Sequence, residues 1–413
     1  MIQKFNFYEN FQDFLQILYF IFTYDTPCIM YDRRWTPTAL TATSLSWQNN
    51  SLKLLYNCDG MSIHPLKVFF IFCSLLASLT SSCLAQENFQ RYSVLPFGAY
   101  TEETKIQYGA VFVLFFRPFQ EGENISSMDF IARGTTRGQF QFQYAPNLWL
   151  LDDHLHIPAK LNLNKWQYSL FERGARGDFE RIDEYKSTFV YGRIPFEMNF
   201  GIPKEIPFRY GIVLEGEARN NELGDDVPKS YQDGYYLGGG YQFILDQKDN
   251  DNWPTKGYYA SFEEVFFGGD FSYHTETIDV RLYAPLFWET SLALGLYARQ
   301  SRGDNVPLGR LAGPDGTKRF RGVESGIWSD TQAAIWQIEL RRPLFWRFAG
   351  VIFGEALQSA PYFSELFKRQ MHYSVGFGGR LALNRSEKLH ARGDLSLVDG
   401  KHIGITIDLR ESF

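Results

Sequence analysis

His154 and His156 are one residue apart, so an extended strand would put both imidazoles on one face, as a pair of metal ligands requires. No cysteine lies nearby and the adjacent acids are Asp152 and Asp153 alone, so a solvated turn is the plainer reading. Asp249-Asn250-Asp251-Asn252 has the composition of a calcium loop, but it lacks the bidentate Glu at the spacing such loops use. Asp270 and His274 could serve a hydrolase at a barrel rim, yet nothing fixes a nucleophile beside them, and no Gly-x-Ser-x-Gly elbow occurs. The four cysteines, Cys28, Cys58, Cys73 and Cys83, all precede residue 86, which suits a chain that crosses an oxidising compartment without wrong disulfides. The chain therefore reads as a non-enzyme, with no cofactor and no metal expected.

What remains is the pattern of the elements themselves. The chain has 413 residues with 41 Lys+Arg against 47 Asp+Glu, and this acidic balance argues against a nucleic-acid partner. An aromatic share of 17% with 35 glycines argues against disorder. A mean hydropathy of −0.27 excludes a bundle of apolar helical spans but not a membrane β-barrel, whose strands hide their apolarity in alternation. Period-two alternation is what the chain shows past residue 100. Ile403, Ile405, Ile407 and Leu409 share one face and His402, Gly404, Thr406 and Asp408 the other. His390, Arg392, Asp394 and Ser396 likewise oppose Ala391, Leu395 and Leu397. Strands are expected near 105–117, 126–135, 139–150, 154–166, 185–199, 208–219, 234–246, 256–267, 271–285, 290–301, 330–343, 346–357, 371–383, 389–398 and 402–410. Tyr92–Tyr100 supplies a sixteenth, the even number that a closed antiparallel barrel needs, with fourteen as the alternative.

Alternation cannot say which face meets water. Three features favour lipid outside. The segments run long enough to cross a bilayer at a tilt. Trp149, Trp166, Trp253, Tyr258, Trp288 and Trp346 lie near strand ends, as interfacial girdles do. The third is an export signal. The apolar run Val68–Leu79 is too short to span a membrane but follows Lys67 and ends in small residues, Ser81-Ser82-Cys83-Leu84-Ala85. A signal peptide over 61–85, starting at Met61 and cleaved after Ala85, is expected, with residues 1–60 an over-extended gene start and 86–413 the barrel domain. Cys83 also raises a lipoprotein reading, but Thr80-Ser81-Ser82 is a poor lipobox. Long loops at 168–184, 220–233, 302–329 and 358–370 then fall on one side, outside the cell.

The last strand, His402–Leu409, resembles the signal by which bacterial barrels are recognised for insertion. Gly404, Ile407, Leu409 and the terminal Phe413 carry it, although four residues follow Leu409. The resemblance implies a barrel-assembly machinery as a partner during insertion and outer-membrane lipid as the surroundings.

Four blocks over roughly residues 240–413 make a more specific resemblance. They are the polar turn Asp249–Trp253 followed by Pro254-Thr255-Lys256-Gly257, and Leu311-Ala312-Gly313 followed by Arg319-Phe320-Arg321-Gly322. The third joins Trp336–Leu344 to Val351–Ala356, and the fourth is Gly376–Arg380 with Arg392-Gly393-Asp394. Together they resemble the BamA/TamA superfamily, the bacterial surface antigen family, and Leu95 to Arg117 resembles its first strands more loosely. The resemblance implies a closed antiparallel transmembrane barrel in the bacterial outer membrane. It implies that the 302–329 loop folds into the lumen and that Arg321, between Phe320 and Gly322, meets the wall acids Glu355 and Asp394. Glu stands where the family usually has Asp, and Val323 where an aromatic is common. Glu355 shares its face with Val351 and Phe353, so either the strand is bulged or Phe353 also points inward.

Between Ala85 and the first strand there is no room for a periplasmic POTRA module, so an insertase role does not carry over with the barrel. The function implied is outer-membrane assembly, protein or lipid translocation, or transport, with a separate periplasmic partner. The alternatives are a structural or surface-antigen barrel without translocation activity and, more remotely, an outer-membrane hydrolase.

Overall fold

The structure is a computed structural model that describes residues 91–101, 105–117, 124–174, 179–203, 205–222 and 233–413. The chain divides into units 1–61 and 62–413, and every described residue belongs to the second. The expected signal peptide over 61–85 and the extension over 1–60 lie outside the described residues.

Seventeen strands form one sheet: β1 Tyr92–Thr101, β2 Lys105–Phe116, β3 Ser126–Thr135, β4 Phe140–Leu150, β5 Leu155–Pro158, β6 Lys160–Phe171, β7 Arg181–Met198, β8 Phe208–Glu222, β9 Gly234–Asp246, β10 Gly257–Gly269, β11 Tyr273–Pro285, β12 Ser291–Gly303, β13 Gln332–Phe345, β14 Phe348–Ala360, β15 His372–Asn384, β16 Leu389–Val398 and β17 His402–Leu409. Each pairs antiparallel with its sequence neighbours. The exception is the β5–β6 pair. Both segments pair with β4 on one side and β7 on the other, so they are two pieces of one stave. Pro158 has no N–H to donate and interrupts the ladder between them. Seventeen segments therefore make sixteen staves.

Boundaries follow the expected ones closely, with one informative difference. β6 and β7 run on past the points where polarity suggested a loop over 168–184. Gln167, Tyr168 and Ser169 look like loop residues, but they pair with Lys186, Tyr185 and Glu184. Tyr168 stacks on Tyr185 at 5.7 Å and Gln167 donates to Glu184. A strand that lines a wet interior can be polar, so polarity was a poor stop signal there.

Burial decides which face is wet, and it runs opposite to a soluble protein. On β17, Ile403, Ile405 and Ile407 are 68, 76 and 58% exposed, while Thr406 between them is 4% exposed. On β13, Ile338 and Leu340 are exposed, whereas Gln337, Glu339 and Arg341 are buried. An apolar outer surface is stable only against hydrocarbon, and a polar interior of this kind needs internal partners. No helix among the described residues is long and apolar enough to cross a membrane, so crossing falls to the strands.

The sheet curls round its longest connection, residues 304–331 between β12 and β13. Side chains of this loop reach Glu215 on β8, Asp279 on β11, Glu355 on β14 and Asp394 on β16, which only a barrel brings within range of one segment. The two ends of the sheet meet differently from all the other neighbours. Among the described residues no register joins β17 to β1. Instead Val111, Val113 and Phe115 of β2 pack with Leu389 of β16 and Leu409 of β17 into one apolar cluster. Arg410, just past β17, reaches Asp129 on β3 at 2.9 Å.

Candidate functional site

The site is the loop 304–331 and the walls that hold it. The loop enters from β12, makes a 3-10 turn at Leu308–Arg310, and forms two isolated bridges, Ala312 with Asp330 and Gly316 with Arg321. Its tip residues take unusual backbone conformations. Phe320 has φ of 63° and Gly322 of 88°. A Cβ at Gly322 would lie 2.6 Å from the Cβ of Ser396, so glycine is required there twice over. Phe320 carries backbone strain that its surroundings must offset. It is fully buried among Ile327, Trp328, Ile335, Leu357 and Val398, edge-on to Trp328 at 6.0 Å.

That apolar anchor aims Arg321 at the wall. Its Nε donates to Glu355 Oε1 at 2.9 Å, and its backbone N–H donates to Oε2 of the same carboxylate at 2.5 Å. Nη1 donates to Glu339 Oε2 at 2.8 Å and to Asp394 Oδ2 at 3.3 Å. The guanidinium lies 3.4 Å above the Phe353 ring centroid. Its carbonyl accepts from the Ser374 hydroxyl at 2.9 Å. Arg321 and its three acids are 0% exposed at their side chains. Of the two ways Glu355 could face the lumen, the second holds. Val351 and Phe353 are buried, Ile352 is exposed, and both ladders of β14 run unbroken through this stretch.

Buried charges are tolerable when paired and hydrogen-bonded, and here they balance. Arg341 donates to Glu339 at 2.6 Å, Arg380 to Asp394 at 2.6 Å and to Glu411 at 2.8 Å, and Arg392 to Asp394 at 2.7 Å. Four guanidiniums, Arg321, Arg341, Arg380 and Arg392, thus face four carboxylates, Glu339, Glu355, Asp394 and Glu411. Forked donors suit this better than ammonium groups would, since Arg321 and Arg380 each reach acids from different segments of the chain.

Sequence reasoning missed Glu339 and Glu411. Glu339 was within reach of it, because alternation puts Gln337, Glu339 and Arg341 on one face of a strand whose Ile338 and Leu340 are oily. Glu411 was not, since it follows the last strand. The tail after β17 turns inward at Arg410, where φ is 67°. Phe413 packs on Tyr283 and Ala293, and its carbonyl accepts from Arg341 at 2.8 Å. The four residues expected to signal insertion therefore occupy different surroundings. Ile407 is exposed on the outside, Leu409 lies in the seam cluster, Gly404 backs onto Gly322 in the lumen, and Phe413 is buried.

The loop is fastened elsewhere too. Arg319 pairs with Asp279 and lies over Tyr297 at 4.4 Å. Arg310 pairs with Glu215 and lies 5.6 Å from the centroids of Tyr191, Tyr236 and Phe267.

The remaining candidates do not join this site. His154 bonds Asn199 at 2.7 Å, and His156 is held between Glu197 and Asn147 at 2.6 Å each, so each imidazole has its own partners. Asp249 accepts from the Thr255 and Lys256 amides at 2.8 and 3.1 Å and from the Thr255 hydroxyl at 2.6 Å. That makes 249–257 a self-capped turn, closed by Gly257 at φ of 107°. Among the described residues one group, Glu264, His274 and Glu276, has donor atoms close enough to share a metal. It includes His274 but not Asp270.

Lipid-facing apolar strands round a lumen crossed by a clamped loop define an integral β-barrel of the outer membrane. A family model for the Omp85 superfamily domain matches residues 126–378, more than half of the chain, and the chain belongs to that superfamily. Members assemble or transport rather than catalyse, and this chain is an outer-membrane protein of that class. Among solved structures, BamA from Haemophilus ducreyi lacking POTRA domains 1–3 matches with a TM-score of 0.51 at 12% identity, over 78% of this chain and 70% of that one. CdiB from Acinetobacter baumannii matches with a TM-score of 0.49 at 10% identity, over 77% of this chain and 59% of that one. No curated protein matches the sequence.

Proposed function

We propose that this barrel works in protein or lipid translocation or assembly at the outer membrane, as a gated conduit whose lumen is occupied by the 304–331 loop. The observation that carries the reading is the clamp: a strained tip, a balanced ion network and a buried aromatic hold one loop across the interior. A barrel with a purely structural role has no use for so costly a plug, because lumen charges could face water instead. The apolar, unladdered meeting of β2 with β16 and β17 supports a wall that yields at that place more readily than elsewhere. A separate periplasmic partner delivers the cargo, and a barrel-assembly machinery inserts the chain, with the outer face of β17 as the strand offered to it.

Conductance tests this. Replacing residues 304–329 by a short linker should raise single-channel current in planar bilayers and antibiotic uptake in cells. Heat-shifted gel mobility verifies that the variant still forms a barrel. A folded variant with unchanged current and uptake defeats the proposal in favour of a structural surface-antigen barrel.

A further inference from the structure

A cluster of metal-donor side chains lies outside the lumen, on the face turned to lipid. Glu264 of β10 stands directly opposite Glu276 of β11 in the register, and His274 precedes Glu276 by two residues, so all three share one face. That face is the outer one. Phe266 and Ile278 on it are 52 and 44% exposed, whereas Val265 and Phe267 on the other are buried. The cluster lies at the loop end of the barrel, since Tyr273 pairs with Gly303, just before the 304–331 loop begins. Toward the opposite end the same face of β11 continues as Ile278, Val280 and Leu282. The three residues therefore sit at the extracellular edge of the apolar band.

Their donor atoms converge. A carboxylate oxygen of Glu264, a carboxylate oxygen of Glu276 and a ring nitrogen of His274 all lie within 4.8 Å of one another. His274 Nε2 is 3.6 Å from Glu276 Oε1. Neighbouring side chains hold each donor in place. The Tyr241 hydroxyl donates to Glu264 Oε2, and Gln300 Nε2 donates to Glu276 Oε2 at 3.3 Å, so each bond takes one oxygen of its carboxylate and leaves the other. The Phe266 ring stacks on the imidazole at 5.7 Å.

The charge here is not balanced by the chain. Two carboxylates directly opposite across a ladder repel, and an apolar wall screens them less than bulk water does. Among the described residues no Lys or Arg forms an ion pair with either glutamate. Arg302 is opposite His274 in the β11–β12 register, but it donates to Gln300 at 2.8 Å.

We propose that Glu264, His274 and Glu276 bind a divalent cation of the zinc class on the outer wall of the barrel. Two carboxylate oxygens and one imidazole nitrogen are a ligand set such an ion takes, and the nitrogen favours it over magnesium and calcium, which prefer oxygen alone. Three protein ligands leave a fourth position open to water. Tyr241 and Gln300 orient the carboxylates, as outer donors do at metal centres. The ion offsets the repulsion between the glutamates and ties β10 to β11 beside the mouth of the barrel.

The full chain, with its cysteines alkylated, is folded in non-ionic detergent, freed of metal with a chelator and titrated with Zn²⁺ by calorimetry. A saturable site is expected. His274→Ala and Glu264→Gln should each weaken it by about tenfold or more. His154→Gln, whose imidazole is bonded to Asn199, should leave it unchanged. No saturable heat in the wild type overturns the proposal, and so does undiminished affinity in His274→Ala and Glu264→Gln proteins that keep the heat-shifted gel mobility of a barrel. Should either variant fail to fold, Glu276→Gln takes its place. Mg²⁺ in about a thousandfold excess should not displace the Zn²⁺, and displacement overturns the zinc-class assignment. Metal binding on the outer wall and conduction through the lumen are read separately, so either result can stand while the other falls.

Discussion

Arg321 and Arg310 belong to one loop and meet different stretches of wall on different terms. Arg321 is fully buried, touches carboxylates from β13, β14 and β16, and lies flat on Phe353. Arg310 has a single carboxylate, Glu215, and three aromatic rings at a distance, and it borders a cavity. Around Arg321 four buried guanidiniums meet four buried carboxylates; Arg310 shares Glu215 with Arg193 at the edge of an open cavity. The contrast shows that a barrel lumen is not one environment. Where the loop presses on β13–β16 the lumen is a dry core made of ions. Where it stands off β6–β8 a cavity of about 440 Å³ remains. The loop is therefore held tightly against one wall and more loosely against the other.

Removing the stronger anchor should give the largest effect. Arg321→Ala leaves three buried carboxylates short of a partner, a loss of about 3–5 kcal/mol for a dry network. Thermal unfolding in detergent should drop markedly, and bilayer recordings of protein that remains folded should show the loop released, as current bursts absent from the wild type. A stable, quiet Arg321→Ala barrel would erase the distinction between the two walls. Arg310→Ala should cost less, about 1–2 kcal/mol, because Glu215 keeps Arg193 at 3.7 Å and the adjoining cavity admits water. Equal losses in the two variants, read from the same melts, would mean that the chamber is as dry as the clamp.

The smallest effect belongs to a turn far from both anchors. Partial burial works to raise the Asp249 carboxyl, but bonds from the Thr255 hydroxyl and from the Thr255 and Lys256 amides outweigh it and hold it below its ordinary value of 3.8. A depressed folded value stabilises above the unfolded one and is lost as pH falls through the folded one. Asp249→Asn should therefore lower the melting temperature slightly at pH 7, with the gap to wild type closing below pH 3.8. A gap that persisted in acid would show that the turn depends on shape rather than charge.

Much of the wall was legible beforehand. Strand positions came from alternation, which depends only on residues next to one another in the chain. The β17 isoleucines and Asp394 of β16 fell on the faces their spacing assigned. Where reading failed, the cause was a rule borrowed from soluble proteins, as when the polar ends of β6 and β7 passed for loop. The loop anchor was legible only through family resemblance, which supplied Arg321, Glu355 and Asp394. Glu339 could have been added from alternation alone. The inward turn of Phe413 could not, because no period continues past β17.

The sequence by itself determined which residues share a face and about where most staves run, since those follow from local geometry. Tertiary structure decided which face is wet, which acids surround Arg321 and where the loop stands off the wall. Those depend on sheet curvature and on where a distant loop comes to rest, and neither is encoded within the span of any single strand.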